Sequence, residues 1–179
     1  GLLFIPYDRS RDRRDLGSDA GSAHRPGNIK YYLVPDRPLA TQKGLKMLKK
    51  FYRELLAKHG THSHQTLSWI SPATQAIRFA QLVKIITNQR DKFTLLDVGC
   101  GFADLCSYLK ESGFNNIDYS GIDIMPEFIA AAKKAHPDCN FIEGSFLKAD
   151  IDQHYDYIVS SGTLNIIADP ARPPYEFAF

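Results

Sequence analysis

The chain reads as an α/β protein built on a mostly parallel, doubly wound sheet, with a helical extension ahead of it. Three observations predict this. The run Thr94-Leu95-Leu96-Asp97-Val98 has the apolar character of a strand covered on both faces, and Gly99 and Gly101 follow it. A helical stretch then leads to a second strand, Tyr119-Ser120-Gly121-Ile122-Asp123, and the alternation continues through residues 140–143 to residues 155–161. Ahead of these, residues 44–58 and 71–88 carry helical patterns.

A chain of 179 residues, 44% hydrophobic, can bury one core but not two large domains. The expected division is an arm over 1–42, helices over 43–90 and the sheet domain over 91–179. No apolar run approaches the ~18–20 residues of a membrane helix, and the apolar start at residues 1–6 is too short for a signal peptide. The expected setting is cytoplasmic. Cys100, Cys106 and Cys139 are odd in number and form no C-x-x-C, so they read as reduced structural thiols. The chain does not begin with Met, which suggests a processed, tagged or excerpted product.

The net charge of +2 conceals an asymmetry: residues 1–60 carry +7 and residues 61–179 carry −5. Such a basic arm fits nucleic acid or a solvated tail. Within it, Arg9, Arg11, Arg13 and Arg14 alternate with Asp8, Asp12, Asp15 and Asp19 without periodicity, so residues 1–42 read as poorly ordered apart from an extended piece at 31–35. Leu45, Leu48, Phe51, Tyr52, Leu55 and Leu56 then recur at helical spacing, and Gly60 ends that helix. His59, His62 and His64 have no carboxylate close in sequence to orient a metal site, and a polar loop without metal is expected there. Ser71 and Pro72 suit the cap and first position of the next helix.

The glycine turn carries the chemistry. Gly99 and Gly101 let the backbone approach a ligand, and the following helix directs its N-terminal N–H groups there. A dinucleotide fingerprint needs a third small residue, but that place is Asp104, and Asp97 precedes the first glycine. Two carboxylates repel a pyrophosphate and attract a ligand bearing an ammonium and a sulfonium, which describes S-adenosylmethionine. An NAD-linked oxidoreductase is disfavoured on the same ground. Asp123 closes the second strand 22 positions after Gly101, where a carboxylate accepts from both ribose hydroxyls, and Ile124 and Met125 offer an apolar face to adenine.

D-V-G-C-G at 97–101 resembles motif I of the class I S-adenosylmethionine-dependent methyltransferases, which have a Rossmann-like fold. Trp69, Ser71, Gln75, Arg78 and Phe79 form a block similar to the W-x-S-x3-Q-x2-R-F stretch ahead of motif I in a subgroup of uncharacterised bacterial methyltransferases. The resemblance implies that S-adenosylmethionine meets Arg78, Asp97, Gly99, Cys100, Gly101, Asp123, Ile124, Ser145, Phe146 and Ser161. Arg78, 21 residues before Gly99, would take the cofactor carboxylate; a surface arginine is the alternative. Trp69 would either cover the cofactor or pack in the core. The family commonly has Asp where this chain has Ser145, so a hydroxyl or backbone group would meet the adenine instead.

Tyr155-Asp156-Tyr157-Ile158-Val159-Ser160-Ser161 resembles the family's motif IV, without the [DN]-P-P-[YF] of adenine or glutamine amino methyltransferases. Pro173-Pro174-Tyr175 follows too late to serve and reads as loop. His154 precedes this strand and lies at its wrong end, so no catalytic base is assigned. The 18 residues after Ser161 are too few for three further strands, which implies a sheet incomplete at the C-terminus with this strand at its edge. The expected activity is methyl transfer to an unidentified acceptor, a small molecule before nucleic acid. The alternative is a non-catalytic module of the same fold that binds a partner through that edge and the basic arm.

Overall fold

The computed structural model describes residues 2–6, 42–87, 92–146, 148–149, 151 and 153–163, with only the backbone described for 2–6 and 42–43. The basic segment from 7 to 41, the extended piece expected at 31–35, and Pro173-Pro174-Tyr175 lie outside these residues. In chain order the elements are β1 (Leu2–Pro6), α1 (Gln42–His59), α2 (Pro72–Val83), β2 (Phe93–Val98), α3 (Asp104–Glu111), β3 (Ile117–Asp123), α4 (Pro126–Ala135), β4 (Asn140–Glu143) and β5 (Tyr157–Ser161).

The sheet runs β1-β5-β2-β3-β4. β2 pairs in parallel with β3 and β5, and β3 with β4, as the strand–helix alternation requires. The expectation of an open edge at β5 is corrected: Leu2–Pro6 pairs antiparallel along it, Leu2 opposite Ser161 and Pro6 opposite Tyr157. Proline lacks the amide of a ladder donor and is tolerated in such an edge strand.

Strand alternation divides the sheet into two faces. Phe93 and Leu95 of β2, Tyr119 of β3 and Val159 of β5 share one core with Phe79 and Leu82 of α2, Leu105 and Leu109 of α3, and Ile129 and Ala132 of α4. Phe93 is 2% exposed and meets Phe114 and Tyr157 edge-on, with centroids 6.3 and 5.3 Å away. Burying such a side chain contributes about 1.5–3 kcal/mol. On the opposite face Leu96 and Ile122 pack with Tyr155, Ala149 and Ile151.

Two polar devices set register and helix starts. The Thr94 amide and hydroxyl both donate to Asp156 Oδ2, at 2.9 and 3.0 Å, and the Asp156 amide returns a bond to Thr94 Oγ1 at 2.9 Å. This clamp fixes Leu95 opposite Tyr157 and Asp97 opposite Val159, which carries Ser161 to the level of Gly99. Ser71 caps α2 by accepting from the Thr74 amide at 3.2 Å, while Thr74 Oγ1 accepts from the Ser71 amide. It is a capping box with threonine in the usual Glu/Gln position.

Gly121 is required in β3 by its neighbours. A Cβ there would stand 2.7 Å from Cys100 Sγ and 3.0 Å from Phe141 Cδ1. Gly121→Ala is expected to cost about 1–3 kcal/mol through overpacking, read as a lower urea midpoint with an unchanged slope.

Candidate functional site

Asp97, Asp123 and Ser161 come together at the carboxyl edge of the sheet. Each follows, at two-residue spacing, a residue of the helix-covered face: Leu95, Tyr119 by way of Gly121, and Val159. All three side chains therefore belong to that face, around the glycine turn.

The turn is held by β3. The Gly99 and Cys100 amides donate to the Ile122 carbonyl at 2.8 and 3.2 Å, and the Gly101 amide donates to Asp123 Oδ2 at 2.9 Å. Asp123 Oδ1 accepts from the Met125 amide at 2.9 Å, and the Gly144 amide donates to the Asp123 carbonyl at 2.9 Å. One residue thus joins the turn to the start of α4 and to the end of β4. Gly99, Gly101 and Ala103 have φ of 76°, 56° and 63°; glycine adopts this region freely, whereas Ala103 does so at a cost of about 1–2 kcal/mol.

Protein side chains occupy the space beside both glycines. A Cβ on Gly99 would overlap Thr163, whose hydroxyl donates to the Val98 carbonyl at 2.9 Å. A Cβ on Gly101 would stand 2.8 Å from Leu67 Cδ2. These walls come from the segment after β5 and from the α1–α2 connection, and the chain needs glycine here for their approach.

The helices ahead of β2 complete the rim. Trp69 meets Phe79 edge-on at 6.4 Å, places ring carbons 3.4–3.5 Å from where a Cβ on Gly162 would stand, and carries the Arg78 guanidinium over its ring at 5.4 Å. Trp69 is thus both core and wall. Arg78 is half-buried and makes no ion pair among the described residues. Gln75 donates to Asp104 Oδ2 at 2.8 Å, so the second carboxylate near the turn faces α2, beside a cavity of about 160 Å³ also lined by Pro72, Ser107 and Tyr108. Trp69, Ser71, Gln75, Arg78 and Phe79 therefore each have a packing or hydrogen-bonding role in this structure.

The remaining sequence-predicted residues are placed as follows. Cys100 turns its thiol into the core against Gly121, leaving only its backbone at the turn. Ile124 is half-buried against Phe102, Met125 and Phe128. Ser145 follows Gly144 next to Asp123, and its carbonyl accepts from the Lys148 and Ala149 amides, both at 2.9 Å. Phe146 is 36% exposed. The Ser161 hydroxyl is buried and has no hydrogen-bond partner among the described residues. Sequence reasoning missed Leu67 and Thr163, for which only proximity to Trp69 and Ser161 in the chain could have served as a signal.

The electrostatics are those of a site short of positive charge. Asp97 is 4% exposed and accepts from the Tyr119 hydroxyl at 2.7 Å. Burial raises its carboxyl to about 7, the Tyr119 bond opposes this, and the charges of Asp123 and Asp104 add to it. Burial also raises Asp123, against the lowering effect of the Met125 and Gly101 amides and of Lys49.

A mostly parallel sheet with a glycine turn after one strand and an acid ending the next has the form of a Rossmann-like domain. Residues 89–174 match the family described as a methyltransferase domain. The chain is 39% identical over 84 residues to "Putative methyltransferase Rv1506c" of Mycobacterium tuberculosis, covering 45% of this chain and 48% of that protein. It is 32% identical over 68 residues to demethylmenaquinone methyltransferase of Chlorobaculum tepidum, covering 38% and 27%. Both alignments span about half or less of the relative's length. Among solved structures, the TehB-like SAM-dependent methyltransferase of Corynebacterium glutamicum aligns at 23% identity and a TM-score of 0.38, over 66% of this chain and 54% of that one.

The raised Asp97 gives a pH dependence of unusual sign. Its folded value of about 7 lies above the unfolded value of about 3.9, so its contribution is complete below about pH 4 and is lost as pH rises through about 7. Asp97→Asn, which keeps an acceptor for Tyr119, is expected to melt above the wild type at pH 8, with the gap closing toward pH 4 in a thermal denaturation series.

Proposed function

We propose that this chain binds S-adenosylmethionine at the carboxyl edge of β2, β3 and β5 and transfers its methyl group to an acceptor. The observation that carries this reading is the gathering of Asp97, Asp123 and the Ser161 hydroxyl, which has no partner among the described residues, on one face around a turn whose glycines are walled by Leu67 and Thr163. The residues fit the group: among the described residues, two buried carboxylates lack a full countercharge, the buried Ser161 hydroxyl has no hydrogen-bond partner, and an arginine without an ion pair stands on the rim.

S-adenosylmethionine supplies, when bound, a methyl carbon activated by a sulfonium leaving group. The chain supplies position. Asp97 holds the ammonium, which gives the buried carboxyl the positive neighbour it otherwise lacks and draws it toward the ionised form. Arg78 and Ser161 take the carboxylate, and the backbone of Gly99, Cys100 and Gly101 lies along the methionine portion. Asp123 accepts from the ribose, Ile124 packs on the adenine, and Ser145 and Phe146 border its far side. Trp69 and Thr163 face the methyl end, where aligning the acceptor and excluding water provide most of the acceleration.

The acceptor in this reading is a small molecule in the cytoplasm. No helix among the described residues is long and apolar enough to cross a membrane. The partner-binding alternative draws no support from the β5 edge, which β1 occupies.

Calorimetry with S-adenosylhomocysteine tests the reading. Asp123→Ala is expected to weaken binding about 10–100-fold, the loss of a charge-assisted contact of ~1.5–3 kcal/mol. Unchanged affinity would remove Asp123 from the site, and no binding by the wild-type chain would overturn the cofactor assignment.

A further inference from the structure

We infer that Tyr52, on a helix well ahead of the glycine turn, is a cofactor-binding residue that donates its phenolic hydrogen to a ribose hydroxyl beside Asp123. This rests on the reading of the site as an S-adenosylmethionine pocket and adds a recognition element to it from α1.

The ring is pinned where the nucleoside half of the pocket must lie. It meets Phe128 edge-on, with centroids 5.4 Å apart and planes at 78°, and Phe128 meets Phe102 at 4.7 Å. Phe102 follows Gly101, and Phe128 lies in the first turn of α4, just beyond Met125. Tyr52 therefore sits at the seam between the two loops whose amides both donate to Asp123. The next residue secures the helix: Arg53 Nε donates to Glu127 Oε1 at 2.7 Å.

The chemistry at this seam is incomplete without a ligand. The Tyr52 hydroxyl makes no hydrogen bond among the described residues, although burial and the nearby charge of Asp123 hold it firmly protonated. A phenylalanine would keep the same ring contacts with Phe128, so packing alone does not call for the hydroxyl. Asp123, as a carboxylate, accepts but cannot donate, and its two oxygens retain lone pairs beyond those taken by Gly101 and Met125. A vicinal diol satisfies both groups: one hydroxyl donates to Asp123 while its neighbour's oxygen accepts from Tyr52. Lys49, one turn earlier on α1, opposes the burial that raises Asp123 and also lowers Glu127.

The test compares wild-type chain and Tyr52→Phe by calorimetry against S-adenosylhomocysteine and its 2′,3′-dideoxyribose analogue. Tyr52→Phe is expected to bind S-adenosylhomocysteine about 5- to 10-fold more weakly and the dideoxy analogue as well as wild type does. Equal affinity of both proteins for S-adenosylhomocysteine would overturn the role of Tyr52 while leaving the cofactor assignment intact. An equal loss for both ligands would also overturn it, by showing that the hydroxyl acts other than through the ribose diol. Wild-type chain that binds neither ligand would overturn the pocket itself and the inference with it.

Discussion

The carboxylate of Asp123 is the constraint on which the site depends. Its two oxygens receive the amides of Gly101 and Met125, so the turn after β2 and the start of α4 share one anchor. Backbone amides that donate to a charged acceptor are among the stronger hydrogen bonds in a protein. Burial opposes the charge, the amides and Lys49 favour it, and the balance leaves an acid raised above its ordinary value yet firmly placed. The same residue's carbonyl receives Gly144, which brings the end of β4 to the same point.

Around that anchor, charge is divided by chain segment. The sheet edge contributes the acids Asp97 and Asp123, while Lys49, Arg53 and Arg78 come from α1 and α2. The helical extension is thus the source of countercharge and cover for a sheet edge that is acidic. The clamp between Thr94 and Asp156 lies at the opposite end of the strands, yet it determines which β5 residue reaches the glycine turn. A shift of one residue there would exchange Ser161 for a neighbour facing the other side of the sheet.

Much of this was legible in the sequence because it depends on local chemistry. The apolar run before two glycines gave β2 and its turn, the acid 22 positions later gave the end of β3, and Ser71-Pro72 gave the start of α2. α2 ends at Val83 rather than near residue 88, since the apolar stripe continues through a turn in which Ile86 remains buried. The pairing of Leu2–Pro6 with β5 was not legible: strand partners far apart in sequence leave no periodic mark, and five residues beside a charged stretch read as part of a tail. Leu67 and Tyr52 were equally hidden, one an apolar residue in a loop and the other one more member of a helix's apolar stripe. Cys100 was legible as part of a motif, but the direction of its side chain depends on the space above Gly121, which belongs to another strand.

The walls beside the two glycines couple distant parts of the chain. Positions 99 and 163, and positions 101 and 67, share one volume each, so the free-energy effects of changes within either pair are non-additive. A side chain in the turn needs a smaller one across from it and still carries the cost of a positive φ. Loss of ligand affinity after a glycine replacement alone would therefore be ambiguous, because displaced walls and an obstructed ligand produce the same outcome.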